Sequence, residues 1–209
     1  MLTRSQVKKY KSSGNQKRII FYDLETTGFN PYYSSIIEIG AIDNFGNNFS
    51  KLINYFKRLD DKIVKITGIT NELLDKKGSM PKNVFRNFVN YIEKYSYHFN
   101  YNIYMVSHNN DGFDKLFLKY QFQKYNIDLP KNLIFVDTLR LAQLTMDNLK
   151  YHNMNSLCKY FNIINQNAHR ALSDAKSLKI MFDPLLILFK QKYGSKDIDF
   201  ILKKIYNPY

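Results

Sequence analysis

Apolar residues along this chain recur with two periods, and each change of period marks a structural element. The apolar run Ile19-Ile20-Phe21-Tyr22 ends at Asp23-Leu24-Glu25-Thr26-Thr27-Gly28 and reads as a strand over about 18–25. Residues of about 36–44 and 47–54 read as two more strands, turned by Asn44-Phe45-Gly46-Asn47. Thr70 is an N-cap ahead of a short helix carrying Glu72, Leu73 and Leu74. Pro81 opens a longer helix on which Val84, Phe88, Ile92 and Tyr95 share a side. A strand over about 102–107 follows, then a helix over 113–125 with Phe113, Leu116, Phe117 and Tyr120 expected to face inward. Next come a strand over about 133–137 and further helices, one of them with Leu178, Met181, Phe182 and Leu185 on one side.

Three antiparallel strands, then strands alternating with helices, predict an α/β fold: a mixed five-stranded sheet with helices on both faces. One domain is expected over 18–209. A basic, flexible leader is expected over 1–17 and a helical extension over 185–209, its end an amphipathic helix packed on the core. No repeat and no second domain is read from the pattern.

The acids change the picture. Residues two apart on a strand point to one face, so Asp23 and Glu25 project together from the end of the first strand. Two adjacent carboxylates repel unless a cation sits between them, and carboxylate oxygens suit Mg2+ or Mn2+. A lone Asp-x-Glu would be no more than a solvated strand end, but matching acids recur. Asp114 follows the turn Ser107-His108-Asn109-Asn110-Asp111-Gly112-Phe113, in the first turn of a helix at the C-terminal end of a strand, where α/β sheets place their ligands. Asp111 is the more ordinary capping candidate there. Asp174 lies inside the helix opened by His169-Arg170-Ala171-Leu172-Ser173, and His169 precedes it on a loop from which it reaches the same place. Histidine is the commonest general base because its unperturbed pKa lies near neutrality.

Read together, Asp-x-Glu, a distant Asp after a His-Asn turn, and His-x-x-x-x-Asp resemble the DEDDh 3′→5′ exonucleases. That superfamily holds the bacterial proofreading subunit and the three-prime repair exonucleases. The resemblance covers roughly 18–185. The stretches Ile66-Thr67-Gly68-Ile69-Thr70, Val136-Asp137-Thr138-Leu139 and Asn155–Ile163 are similar as well. Three residues, Asn110, Asp111 and Gly112, separate His108-Asn109 from Phe113-Asp114, a spacing similar to the repair exonucleases, although Phe113 stands where those carry tyrosine.

The resemblance implies a ribonuclease-H-like fold and metal-dependent release of nucleoside 5′-monophosphates from 3′ ends of single-stranded DNA, with RNA as the alternative substrate. It implies two Mg2+ ions, replaceable by Mn2+. Asp23 would bridge both ions, Glu25 and Asp174 would complete the first site, and Asp114 would act at the second, largely through water. His169 would take the proton of the attacking water. For substrate binding it implies Leu24 against the terminal nucleotide, the Thr26 N–H on the 3′-hydroxyl, and Ile69 wedged against the last bases. Phe113 would stack or shape the pocket, and His108 and Asn109 would fix the turn. Asp137 reads as a helix cap outside the chemistry. A nucleic-acid-binding protein without catalysis is disfavoured, because all five catalytic positions are present.

Composition narrows the class. A hydrophobic share of 44% with 16% aromatics excludes a disordered chain, and no apolar run approaches the roughly 20 residues of a membrane span. The single Cys158 forms no internal disulfide, and Met1–Lys9 lack the apolar core of a secretory signal. The expectation is an intracellular, reducing compartment, no membrane partner, and a polymerase or a second copy as candidate protein partners. A net charge of +13 at a pI of about 9.6 opposes what a cluster of catalytic acids would give alone and favours a polyanionic substrate. Half of that excess is attributed to the Lys-, Asn-, Ile- and Tyr-rich bias of an AT-rich genome.

Overall fold

β-Branched and aromatic side chains favour the pleated backbone, and Ile19, Ile20, Phe21 and Tyr22 set the first strand, β1 (Arg18–Thr26). The computed structural model describes residues 17–94, 102–195 and 197–206. The leader expected over 1–17 lies outside the described residues except for Lys17, as does Tyr95. β1 is followed by β2 (Ile36–Asp43) and β3 (Asn48–Leu52), and later by β4 (Ile103–Ser107) and β5 (Leu133–Asp137). The sheet order is β3-β2-β1-β4-β5. β1–β2 and β2–β3 are antiparallel; β1–β4 and β4–β5 are parallel. This is the mixed sheet expected, with β1 at its centre.

The helices are α1 (Asp61–Thr67), α2 (Asn71–Lys77), α3 (Pro81–Glu93), α4 (Asp114–Lys124), α5 (Thr138–Thr145), α6 (Met154–Tyr160), α7 (Ala171–Tyr193) and α8 (Ile198–Tyr206). They cover both faces of the sheet. On one face Ile20, Tyr22 and Leu24 pack with Val84, Phe85 and Phe88 of α3 and with Phe117, Leu118 and Phe122 of α4. On the other, Phe21, Tyr104 and Val136 meet Leu141 of α5, Leu157 of α6, Leu178 and Phe182 of α7 and Ile201 of α8. None of the helices among the described residues is long and apolar enough to cross a membrane.

Three elements depart from the sequence reading. α1 was not foreseen, because Ile63, Val64 and Ile66 are β-branched and argue for a strand. Its caps decide instead: the Asp60 side chain accepts from Lys62 N–H, and Gly68 closes the helix at φ +67°. The boundary expected at 185 falls inside α7, which runs through Pro184 to Tyr193 and ends on Gly194 at φ +79°. Buried Leu185 and Phe189 hold it past a proline that removes one helical hydrogen bond. The inward face of α4 is also rotated: Phe117, Leu118, Gln121 and Phe122 are buried, whereas Tyr120 turns outward to Tyr32. Apolar residues fall on all sides of α4, so their spacing defines no single face.

Candidate active site

Strand alternation divides the end of β1. Leu24 points into the core shared with α3 and α4, so Asp23 and Glu25 lie on the opposite face, towards α7. There one carboxylate oxygen from each of Asp23, Glu25 and Asp174 lies within 4.8 Å of the others. Asp174 reaches them because α7 starts close against the sheet. Gly40, paired with Asp23 across β1–β2, makes this possible: a Cβ there would sit 2.0 Å from Leu172 N and 2.1 Å from Ala171 C.

A second anchor fixes the same helix end. Glu38, cross-strand partner of Glu25 and 1% exposed, accepts from Arg170 Nε (3.1 Å), Arg170 Nη2 (2.8 Å) and Ala171 N–H (3.0 Å). This forked pair holds the N-terminus of α7 and supplies positive charge beside Glu25. Neither Glu38 nor Arg170 was singled out from the sequence, where both look like ordinary strand and loop charges.

Asp114, 2% exposed, stands at the start of α4. Its Oδ2 accepts from Ser107 Oγ at 2.7 Å, while Oδ1 is buried with no hydrogen-bond partner. A buried, unpaired carboxylate oxygen is costly unless a cation meets it. The supporting turn is held by Asn110, fully buried, whose side-chain amide donates to Met105 O and Val136 O, both at 3.0 Å, and accepts from Tyr22 Oη. Asn110 thus ties together β1, β4 and β5, and no periodicity in the sequence marks it. Asp137 caps α5 through Leu139 N–H at 2.9 Å and also accepts from the N–H groups of Asn109 and Asp111. Asp111 does not cap α4: it pairs with Lys115 (3.0 Å) and Arg140 (3.1 Å) and accepts from Tyr206 Oη (2.9 Å).

His169 lies on the exposed rim, at φ +64°, an uncommon left-handed conformation for a non-glycine residue. Its N–H donates to Asp174 Oδ2 at 2.9 Å, and the Asn165 side-chain amide donates to Oδ1 of the same carboxylate. A cleft of about 310 Å³ is lined by Asp23, Glu25, His108, Asn153, His169 and Asp174, among others. His108 bonds Thr138 Oγ1 through Nδ1 at 3.1 Å, and burial lowers its pKa.

Substrate-binding expectations fare less evenly. Ile69 is fully buried with Ile37, Leu59 and Leu74, so it cannot wedge against bases in this conformation. The physical reason is the turn after Gly68, which folds Ile69 beneath α2. Leu24 is 4% exposed and serves the core. The Thr26 hydroxyl donates to Gly28 O at 2.7 Å, which shapes the turn after β1 and occupies the side chain. Asn109, at φ +62°, fixes the β4–α4 turn. Phe113 is partly buried, with its ring 4.8 Å from Phe117 and 6.4 Å from the exposed ring of Phe29. Phe29 was not foreseen, because a lone aromatic in a turn carries no pattern.

Crowded acids resist ionisation. Burial, with Asp174, Glu38 and Asp114 nearby, pushes Glu25 up to about 8. Burial pushes Asp114 up to about 7 against the pull of Ser107, and Asp23 and Asp174 are raised as well, burial again the largest cause. An all-oxygen donor set that holds its protons this firmly fits a hard divalent cation. A carboxyl whose pKa is higher folded than unfolded contributes stability at low pH and loses it as pH rises through the folded value. Metal-free protein is therefore expected to melt at progressively lower temperature from roughly pH 5 to about pH 8. Added Mg2+ or Mn2+ should raise the melting temperature, and more so at the alkaline end, since ligands must be deprotonated. Thermal melts in EDTA and in metal at several pH values test this; a flat, metal-insensitive profile would remove the cation from the site.

The RNase_T family, described as Exonuclease, matches residues 20–182 of this chain. Among curated proteins, the DNA polymerase III PolC-type of Halalkalibacterium halodurans is 31% identical over 164 residues, covering 76% of this chain and 10% of that protein. The Bacillus subtilis counterpart is 30% identical over 167 residues, covering 78% and 11%. This chain thus spans about a tenth of the length of these relatives. In solved structures, Escherichia coli Exonuclease I in complex with a dT13 oligonucleotide superposes with a TM-score of 0.72 at 19% identity, covering 90% of this chain and 44% of that one. Its zinc-bound complex with single-stranded DNA superposes at 0.69 with 20% identity, covering 87% and 42%. These likenesses establish the ribonuclease-H-like exonuclease fold.

Proposed function

The chain belongs to the RNase_T exonuclease family, and from that premise we propose that it removes nucleotides one at a time from the 3′ ends of single-stranded DNA. The observation that carries this reading is the carboxylate set: Asp23, Glu25 and Asp174 within 4.8 Å of one another, with the unpartnered Asp114 oxygen buried at the neighbouring strand end. Two divalent cations, Mg2+ or Mn2+, held by these four acids would stabilise the charge on the attacking and leaving oxygens of an in-line displacement at phosphorus.

The chain's own groups do the remainder. His169, on the rim of the cleft, takes a proton from the attacking water as its oxygen bonds to phosphorus. The bond from phosphorus to the 3′-oxygen of the penultimate nucleotide breaks, and that oxygen takes a proton from solvent, which frees a nucleoside 5′-monophosphate and leaves a new 3′-hydroxyl. Arg170 and Glu38 keep α7, and with it Asp174, seated. The Thr26 N–H and the rings of Phe113 and Phe29 receive the terminal nucleotide. The basic surface gathers the polyanion. The PolC-type relatives favour a polymerase setting for this activity.

Oligomers labelled at the 5′ end are expected to shorten progressively to mononucleotides, to be blocked by EDTA, and to be slowed at the first cut by a 3′-phosphate. An RNA oligomer of the same sequence, run in parallel, is expected to be the poorer substrate. Equal or faster loss of RNA would move the assignment to an exoribonuclease, and cuts within a closed single-stranded circle would overturn the exonuclease reading.

A further inference from the structure

The segment 27–35, between β1 and β2, turns three large aromatic side chains to solvent: Phe29 is 85% exposed, Tyr32 64% and Tyr33 89%. Such rings on a loose loop would mean little, but this loop is pinned. Thr27 N–H bonds Ser35 O at 2.9 Å, Ser35 N–H bonds Thr27 Oγ1 at 2.9 Å, and Ser34 N–H bonds Asn30 O at 2.8 Å. From α4, the buried Gln121 donates its side-chain amide to Ser34 O at 2.9 Å. The backbone is thereby held in a shape that keeps the rings outward.

Their placement follows the helix that carries Asp114. Phe29 meets Phe113, the residue before Asp114. Seven residues further, two turns or about 10 Å along the axis, Tyr120 packs its ring 4.0 Å from that of Tyr32 and hydrogen-bonds its hydroxyl. Tyr33, next to Tyr32 in the chain, is exposed on the same pinned loop. The aromatic surface thus begins at Phe113, the residue before Asp114, and follows α4 away from it. Its electrostatics suit a polyanion: neither 27–35 nor 115–127 contains an acidic residue, while Lys115, Lys119 and Lys124 line α4, the last two exposed.

We propose that Tyr32, Tyr33 and Tyr120 form a stacking subsite for bases upstream of the nucleotide being removed, which lengthens the grip on a single strand. This rests on the exonuclease reading above. Single-strand binders combine basic surface with rings on which bases stack irrespective of sequence. Stacking requires unpaired bases, so the subsite selects single strands over duplex.

Binding can be read without chemistry, by fluorescence anisotropy of labelled oligothymidylates of graded length in EDTA. Wild-type affinity is expected to rise with length over the first several nucleotides. The double variant Tyr32→Ala/Tyr33→Ala should lose roughly tenfold or more on long oligomers, the usual worth of a stacked base, and nearly all of the gain with length. Tyr33→Trp should bind at least as tightly as wild type, and Tyr160→Ala, an exposed ring elsewhere, should bind as wild type. Equal affinity of the double variant and wild type at every length would overturn the proposal. So would a self-association, seen by sedimentation, that the double variant abolishes while DNA affinity stays intact, because the rings would then serve a second copy of the chain. Failure of the exonuclease reading is separate: wild-type protein in Mg2+ or Mn2+ would leave bound oligomers undegraded.

Discussion

Alanine in place of Asp23 is expected to leave a folded protein whose turnover falls by on the order of 10³-fold or more, since several kcal/mol of transition-state charge stabilisation would go with the cations proposed to bind there. Glu25→Ala, Asp174→Ala and Asp114→Ala should lose comparably. Asp23 and Glu25 share one strand face, and Asp174 completes the cluster within 4.8 Å. Stability should move the other way. Asp23 is driven towards its protonated form by burial and by Asp114, Glu25 and Asp174, so removing it relieves repulsion. Metal-free Asp23→Ala should melt above wild type at about pH 8, where the cost of ionising the cluster is greatest. Single-turnover rates in Mg2+ and melts in EDTA read the two effects. Wild-type turnover in any of the four variants would remove that acid from the site; should an alanine variant fail to fold, Asp23→Asn serves in its place.

His169→Ala is expected to cut turnover by roughly 10²–10⁴, the range for one positioned acid–base group, while oligomer binding persists. His169 lines the same cleft as Asp23 and Glu25, and its backbone N–H anchors it to Asp174. Alanine therefore preserves the anchor and removes only the imidazole. The rate–pH profile should lose the ascending limb that a histidine base gives. An unchanged profile with a loss of less than a few-fold would reduce His169 to a loop residue, leaving the carboxylate cluster intact as an assignment. His169→Gln, which restores polarity without a base of comparable strength, should not rescue the rate.

The elements that position this site were legible where local chemistry is strong. The β-branched run ending in Asp-x-Glu marked β1, Thr70 capped α2 with a bond to Leu73 N–H at 3.1 Å, and Pro81 opened α3. Asp137 was readable as a cap because its neighbours spell strand and then helix. Legibility failed where a side chain's role depends on a neighbour distant in sequence. α4 carries apolar residues all round, so only packing against α3 and the 27–35 loop decides that Gln121 is buried and Tyr120 faces out. Ile69 sits in a short turn that reads equally as surface or core until Leu59 and Ile37 close over it.

From its residues alone, then, this chain determined a mixed α/β sheet and the spacing of four acids and a histidine. Alternation along a strand and the start of a helix orient side chains with no outside help. The tertiary structure decided what makes those acids a site. Glu38 takes up Arg170 across more than a hundred residues of chain, Gly40 admits α7 against β2, and Asn110 ties β1, β4 and β5 together. Each is a short-range contact between segments far apart in sequence. Hydrogen bonds and close packing act over a few ångströms of space, and no periodicity along a chain reports which distant residues will occupy them.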